Sequence, residues 1–208
     1  GGLKLGASTT IAQYVLPPLL ASFIGKFPQV NLSLLNGNSR EIEAALQEHR
    51  IDLGFVEGVF RLPNIKYTTF LEDELVAVVR TGSRLTVGEE ITPEELLHLP
   101  LVLRERGSGT LDVFERALQQ HNIKLSSLQV LMYLGSTESI KLFLEHTDCL
   151  GIVSIRSITR ELYSGQLRVV EIKGMPMLRD FSFAQPQGQE SGLAQVFMQF
   201  AMHNNNKL

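Results

Sequence analysis

Residues 130–140 read VLMYLGSTESI, and about a hundred positions earlier residues 30–42 read VNLSLLNGNSREI. Each stretch is an apolar run that ends near a glycine, followed by small polar residues and then by an isoleucine one helical turn later. This pattern predicts a buried strand that leads directly into a capped helix. Both stretches are followed by a short apolar strand of shared pattern, LGFV at residues 53–56 and LGIV at residues 150–153.

The segments upstream of these two stretches agree as well. The first begins with the alternating strand LKLGA at residues 3–7 and continues with Ser8-Thr9-Thr10 and a helical pattern. The second begins with LVLRE at residues 101–105 and continues with GSGT at residues 107–110 and another helical pattern. Strands that alternate with helices predict an α/β fold. We therefore expect two Rossmann-like lobes, although two unrelated α/β units would share the same coarse order of elements.

Composition narrows the class of protein. The 208 residues allow one large domain or two small ones, and 44% apolar residues are enough to form a core. Charged residues make up 20% and the net charge is −3, which excludes a disordered chain and argues against nucleic-acid binding by this chain alone. A single cysteine excludes a disulfide framework and a cysteine-based zinc site within one chain.

The sequence also bears on location. No apolar run approaches the roughly 20 residues that a membrane span needs. The first residues lack the basic segment and apolar core of a signal peptide. We therefore expect a cytoplasmic protein with no membrane partner.

Four helix starts rich in small polar residues each follow a predicted strand: Ser8–Thr10, Asn38–Ser39, Ser108–Thr110 and Ser136–Thr137. Ligands of open α/β sheets bind outside the carboxyl ends of the strands. Helix N-termini offer free N–H groups and a partial positive charge there. If two lobes face each other, these four starts would surround one cleft suited to a small anion or carboxylate. The alternative is that each cluster only caps its helix.

Charged and reactive side chains near these starts give further candidates. Arg104 and Arg106 precede the GSGT start, where a guanidinium could hold an oxyanion or could simply pair with a neighbouring carboxylate. Glu57 follows a buried strand and would accept from an amine or pair with Arg104. Cys149 is expected to be a small buried thiol, and the spacing around His146 matches no metal-ligand pattern. We find no catalytic motif, and expect no enzyme activity, no cofactor and no metal.

Five motifs, in this order, resemble the effector-binding domain of LysR-type transcriptional regulators. They are LGASTT at residues 5–10, VEG at 56–58, RERGSGT at 104–110, LGSTESIK at 134–141 and LGIVS at 150–154. The resemblance covers nearly the whole chain and is closest to the branch that regulates sulfur assimilation or carbon fixation.

The resemblance implies a fold like that of type 2 periplasmic binding proteins, in which two lobes are joined by two crossover strands. Lobe I would comprise residues 1–76 plus 176–208, and lobe II would comprise residues 77–175. The winged helix-turn-helix DNA-binding domain that precedes this domain in the bacterial family is absent from this chain. DNA would therefore be bound only through that missing N-terminal domain.

The resemblance also implies a function: a small anionic effector binds between the lobes and controls DNA binding and transcription by the full-length protein. Family domains form homodimers, with a tetramer in the full-length form. The residues that match the family's effector contacts are Ser8, Thr9, Thr10, Asn38, Glu57, Arg104, Ser108, Thr110, Ser136 and Thr137. The residues expected at the dimer interface are Leu16, Leu19, Leu20, Phe23, Phe27, Val30 and Leu32.

Two other functions remain open at this point. A solute-binding protein of a transport system has the same architecture, but such receptors are usually monomers, so an apolar dimer face would discriminate against it. An enzyme on the same scaffold would turn over its bound ligand.

Overall fold

Two long strands carry the chain between its two halves in the computed structural model, which describes residues 1–188 and 191–208. The chain divides into unit 1, residues 1–72 and 180–208, and unit 2, residues 73–179. Strand β4 (Ile65–Arg80) leads from unit 1 into unit 2, and β10 (Met177–Pro186) leads back. Each boundary between the units falls inside a continuous strand, and the predicted lobe bounds stay a prediction.

Unit 1 is built on a mainly parallel sheet in the order β2-β1-β3-β10, in which β10 runs antiparallel to β3. Apart from β4 and β10, its strands and helices are β1 (Gly2–Ser8), α1 (Thr9–Tyr14), α2 (Leu16–Lys26), β2 (Asn31–Gly37), α3 (Ser39–Gln47), β3 (Leu53–Val56) and α7 (Gly192–His203). Pro17 occupies the first turn of α2, where its missing N–H costs nothing, and this separates α2 from the short α1.

Unit 2 repeats this plan with the strand order β4-β8-β6-β7, and β9 pairs with β4 and with the short β5. Its further strands and helices are β5 (Glu90–Ile91), β6 (Pro100–Arg104), α4 (Gly109–Gln120), β7 (Gln129–Leu134), α5 (Thr137–His146), β8 (Leu150–Ser154), α6 (Thr159–Ser164) and β9 (Leu167–Ile172). Strands β6, β7 and β8 are parallel, so their carboxyl ends lie at one edge of the sheet.

The repeated glycine and isoleucine have the same packing role in both units. A Cβ added to Gly54 in β3 would lie 3.1 Å from Cγ2 of Ile42 in α3. A Cβ added to Gly151 in β8 would lie 3.1 Å from Cγ2 of Ile140 in α5. The glycine thus lets the helix approach the sheet closely, and the helix start is thereby fixed above the strand ends.

The core of unit 1 is rich in phenylalanine. Phe23 of α2 packs against Phe197 of α7 with ring centroids 4.9 Å apart, and Phe55 packs against Phe183 at 5.2 Å. All four rings are buried. The core of unit 2 is mostly aliphatic and includes the buried Cys149.

Candidate functional site

Arg104 ends strand β6 as a buried cation, with only 1% of its side chain exposed. Its Nε donates to Oε1 of Glu105 at 2.9 Å, and its Nη1 donates to Oγ1 of Thr137 at 3.4 Å. A buried cation requires anionic or polar partners to offset its lost hydration. Arg104 therefore places a fixed positive charge at the edge of the sheet where α5 begins.

The start of α4 adds hydroxyl groups to this edge of unit 2. Oγ of Ser108 accepts a hydrogen bond from the backbone N–H of Thr110 at 3.1 Å, which makes Ser108 the cap of the helix. Both side chains are buried. The start of α5 is different, because Oγ of Ser136 accepts from the N–H of Ser139 and donates to the Ser139 hydroxyl at 2.8 Å. Ser136 is thus occupied as an ordinary cap.

Arg179 and Asp73 were not among the predicted site residues, and Arg179 contacts the start of α4 directly. Arg179 of β10 donates through Nη1 to Oγ1 of Thr110 at 3.0 Å and through Nε to Oδ2 of Asp73 at 2.9 Å. Both charged side chains are buried. The signal for Arg179 was the alternation of β10, in which Met177, Arg179 and Phe181 are buried at every second position.

The corresponding edge of unit 1 carries a carboxylate instead. Glu57, which follows β3 and is buried, accepts a hydrogen bond from the hydroxyl of Ser8 at the end of β1. The hydroxyl of Ser39 donates to the carbonyl oxygen of Glu57 at 2.8 Å, so the start of α3 is tied to the same residue.

The other predicted residues of unit 1 have separate roles. Thr9 donates to the carbonyl oxygen of Gly37 at 3.3 Å, and Asn38 forms a reciprocal capping box with Glu41. The hydroxyl of Thr10 is buried and makes no hydrogen bond within the described part of the chain. The hydroxyls of Ser8 and Ser39 both contact Glu57 in these hydrogen bonds, which joins the end of β1 and the start of α3 to one residue.

The remaining reactive candidates are occupied or inert. Arg106 is exposed and its Nη1 donates to Glu115 at 2.7 Å, which raises the pKa of the guanidinium. Burial raises the pKa of the Cys149 thiol to about 11, so the thiol stays protonated at neutral pH. Within residues 1–188 and 191–208, no cluster of three or more His, Cys, Asp or Glu side chains could hold a metal ion.

The predicted dimer-interface residues divide into two sets. Leu16, Leu19, Phe23 and Val30 are buried in the core of unit 1, where α2 packs on the sheet and on α7. Their side chains have little exposed surface within one chain, and their place at a dimer interface stays a prediction. The set that is only partly buried comprises Leu20, Phe27 and Leu32.

Large apolar side chains are also exposed at other positions of both units. In unit 1 they include Ile24 of α2 and Leu34 and Leu35 of the edge strand β2. In unit 2 they include Leu131, Met132 and Tyr133 of the edge strand β7, Leu142 of α5 and Tyr163 of α6. No helix in the described part of the chain is both long and apolar enough to span a bilayer.

Comparison with known proteins gives a consistent result. The family model of the LysR substrate binding domain matches residues 1–205. The HTH-type transcriptional regulator YeiE of Escherichia coli K12 is 36% identical over 172 residues, which are 83% of this chain and 57% of YeiE. The chain thus spans little more than half the length of that relative.

Solved structures give the same fold. The CcmR regulatory domain of Synechocystis PCC6803 in complex with 2-PG is 28% identical, with a TM-score of 0.87 over 98% of this chain and 96% of that chain. The effector binding domain of QuiR in complex with shikimate is 19% identical, with a TM-score of 0.86 over 100% of this chain and 98% of that chain.

These matches confirm the type 2 periplasmic-binding-protein-like fold and do not favour a transport receptor. The chain belongs to the LysR family of transcriptional regulators and forms the effector-binding domain of such a regulator.

Proposed function

We propose that the effector of this domain is a small anion and that unit 2 provides its principal contacts. Arg104 carries the proposal, because its guanidinium is buried at the carboxyl ends of parallel strands, where Glu105 and Thr137 hold its positive charge in a fixed position. The hydroxyls of Ser108, Thr110 and Thr137 and the first N–H groups of α4 and α5 add hydrogen-bond donors beside it. Donors that converge in this way suit an oxyanion.

The proposal extends to unit 1, where Ser8, Thr9, Thr10, Asn38 and Glu57 are the predicted contacts. Glu57 is an acceptor, so we propose that it recognises a hydroxyl or amine of the effector, while the anionic group binds Arg104. That both sets contact one ligand between the lobes stays a prediction.

We further propose that the domain acts by binding and not by catalysis, as part of a longer cytoplasmic protein with a separate DNA-binding domain. An effector can shift a conformational equilibrium only by its difference in affinity for the two states. Such coupling is usually about 1–3 kcal/mol. The full-length protein should therefore change its affinity for promoter DNA by roughly 5- to 150-fold when the effector binds.

A ligand panel tests the anion site. Thermal unfolding of the domain is followed with sulfate, sulfite, thiosulfate, phosphate, small carboxylates and 2-PG, the compound bound by CcmR. A ligand at about 100 times its Kd adds about 2.7 kcal/mol, which raises the Tm of a chain of this size by roughly 5–10 °C.

The decisive variant is Arg104→Gln, and Arg106→Gln is its matched control. Arg104→Gln should abolish the ligand-induced rise in Tm, whereas Arg106→Gln should keep it, because Arg106 is exposed and pairs with Glu115. Far-UV circular dichroism without ligand verifies that both variants fold. A panel without any response, or an Arg104→Gln variant that responds like the wild type, would remove the anion site.

We also propose a homodimer, with a tetramer in the full-length protein. Its support is exposed apolar surface on each unit. Ile24 of α2 and the leucines of the edge strand β2 form it in unit 1, and the leucine, methionine and tyrosine of the edge strand β7 form it in unit 2. Ile24→Asp and Tyr133→Asp should each convert the dimer to a monomer in sedimentation velocity. Tyr163→Asp is the control, since Tyr163 is exposed on α6. A dimer that survives both substitutions contradicts this interface.

A further inference from the structure

Three polar side chains of unit 2 surround the buried carboxylate of Asp73. Oδ2 accepts from Nε of Arg179 at 2.9 Å, and Oδ1 accepts from the hydroxyl of Ser154 at 2.8 Å. Nε of Arg156 lies 3.4 Å from Oδ1. The side chain of Asp73 is 0% exposed and that of Arg179 is 2% exposed. Both carboxylate oxygens are thus engaged, and the guanidinium of Arg179 is held in a fixed orientation.

The second arm of Arg179 reaches the start of α4. Nη1 donates to Oγ1 of Thr110 at 3.0 Å, while Nε is bound to Asp73. A guanidinium is planar and rigid, so fixing one edge of it on Asp73 also fixes the direction of the Nη1–H bond. Thr110 is therefore oriented by a residue far from it in the sequence.

This contact determines what the Thr110 hydroxyl can do. A threonine hydroxyl has one hydrogen to donate and two lone pairs that accept. Since the oxygen accepts from Arg179, the hydrogen must point away from the guanidinium. Oγ of Ser108 likewise accepts from the N–H of Thr110, which leaves the hydrogen of Ser108 to point elsewhere. The start of α4 consequently presents two oriented O–H donors.

We propose that Arg179 is a positioning residue that holds Thr110 as a hydrogen-bond donor, so that the effector group at Thr110 is a deprotonated oxygen. This proposal rests on the proposed function, since it assigns chemistry to one part of the same site. An ammonium group is disfavoured at this position because it has no lone pair to accept the hydrogen that Thr110 presents. The chemical class of effector recognised at Thr110 is therefore an oxyanion, whose bound oxygen carries no proton.

A double-mutant cycle tests the proposal, with sulfate and inorganic phosphate as probes in isothermal titration calorimetry. Thr110→Val keeps the shape of the side chain but removes the donor, and should weaken binding about tenfold or more. Arg179→Lys keeps the charge but loses the rigid fork, and should weaken binding to a similar extent. The double variant should bind no more weakly than Thr110→Val alone, because Arg179 acts through Thr110. Thr110→Ser restores the donor and should restore most of the affinity.

Additive losses in the cycle would assign Arg179 a direct charge effect and would overturn the positioning role. Wild-type affinity in Arg179→Lys would overturn it too, while loss of binding in Arg104→Gln in the same experiment would leave the proposed anion site intact. A wild type that binds neither sulfate nor phosphate would overturn the positioning role, and the anion panel would then decide separately whether the anion site stands.

A second measurement does not depend on the folding of an Arg179 variant. Nitrogen-15 NMR of the arginine side chains follows the guanidinium of Arg179 in the wild type and in Thr110→Val while sulfate is added. We expect a shift of the Arg179 signals in the wild type and a smaller one in Thr110→Val. Signals that do not respond to bound sulfate in the wild type contradict the proposal.

Discussion

Units 1 and 2 share one plan but carry opposite charge at equivalent positions. The residue after the shared isoleucine is Glu43 in α3 and Lys141 in α5, and both are buried. The strand LGFV is followed by Glu57, whereas the matching strand LGIV is followed by Ser154. The two units thus share the glycine and the isoleucine that let the helix pack closely on the sheet. The polar residues around this contact differ between the units.

The two buried charges have comparable roles in holding their units together. Glu43 accepts a hydrogen bond from the hydroxyl of Tyr67 in β4. Lys141 donates to the carbonyl oxygen of Ser157 at 2.7 Å and lies 2.8 Å from Oε2 of Glu161 in α6. Glu43 thus connects α3 to β4, and Lys141 connects α5 to the segment that follows β8.

The largest expected effect concerns the cores. Phe197→Ala removes a ring from the aromatic cluster of unit 1, and Phe114→Ala removes a fully buried ring of α4 in unit 2. Each should lower the free energy of unfolding by about 3–5 kcal/mol. Urea unfolding followed by circular dichroism and tyrosine fluorescence measures both. Because β4 and β10 run through both units, we expect one shared unfolding transition in each variant. Two separate transitions would show that the units unfold as independent domains.

The buried charges give the next effect. Lys141→Met keeps the aliphatic length but leaves the carboxylate of Glu161 without its ammonium partner, and should cost about 3 kcal/mol. The matched substitution in unit 1 is Glu43→Gln, which keeps an acceptor for Tyr67 and should cost less. Chemical denaturation of both variants compares them, and equal losses would show that the sign of the charge is immaterial to its anchoring role.

The phenol of Tyr67 makes unit 1 sensitive to high pH. Burial, together with the hydrogen bond to Glu43, raises the pKa of Tyr67 from 10.0 to about 12. The neutral phenol is therefore favoured in the folded state, and its contribution is complete below pH 10 and is lost as the pH rises towards 12. Tyr67→Phe should lower the free energy of unfolding by about 1–2 kcal/mol at neutral pH. The substitution should also reduce the loss of this free energy between pH 10 and pH 12. If Tyr67→Phe loses as much unfolding free energy over this pH range as the wild type does, groups other than Tyr67 cause the loss.

The smallest expected effect on stability comes from substituting the N-cap residues of α3 and α5. Asn38 and Ser136 occupy equivalent cap positions in α3 and α5 and accept from the N–H groups of Glu41 and Ser139. Asn38→Ala and Ser136→Ala should each cost about 1 kcal/mol of stability. If Ser136 is only a cap, Ser136→Ala should also leave anion binding unchanged in the titrations. A loss of binding without a loss of stability would return Ser136 to the effector site.

Local patterns predict much of this structure. The strand and helix order, the four helix starts and Arg104 all follow from residues within a few positions of one another. The contact between Arg179 and Asp73 joins residues 106 positions apart, and nothing in the local sequence of β4 specifies it. Local patterns also give no signal for a boundary inside β4 or β10, since both strands continue without a break from one unit into the other.

The apolar stripe of α2 illustrates a different limit. Its period identifies a face that must be covered, but the period is the same whether the cover is the protein's own core or a partner. In this chain Phe23 of α2 packs against Phe197 and Phe200 of α7, more than 170 positions later in the sequence. The side chains left on the outer surface are others, such as Ile24.

The interrupted sequence of unit 1 has a consequence for biosynthesis. Unit 2 is encoded as one continuous stretch, residues 73–179, whereas β10 and α7 of unit 1 are translated only afterwards. While the ribosome makes unit 2, Phe23 and Phe55 lack the rings of Phe197 and Phe183 that cover them in the native protein. The nascent chain therefore exposes the incomplete apolar core of unit 1 until residues 180–208 have been translated. During this interval the chain is most prone to aggregation and would benefit most from a chaperone.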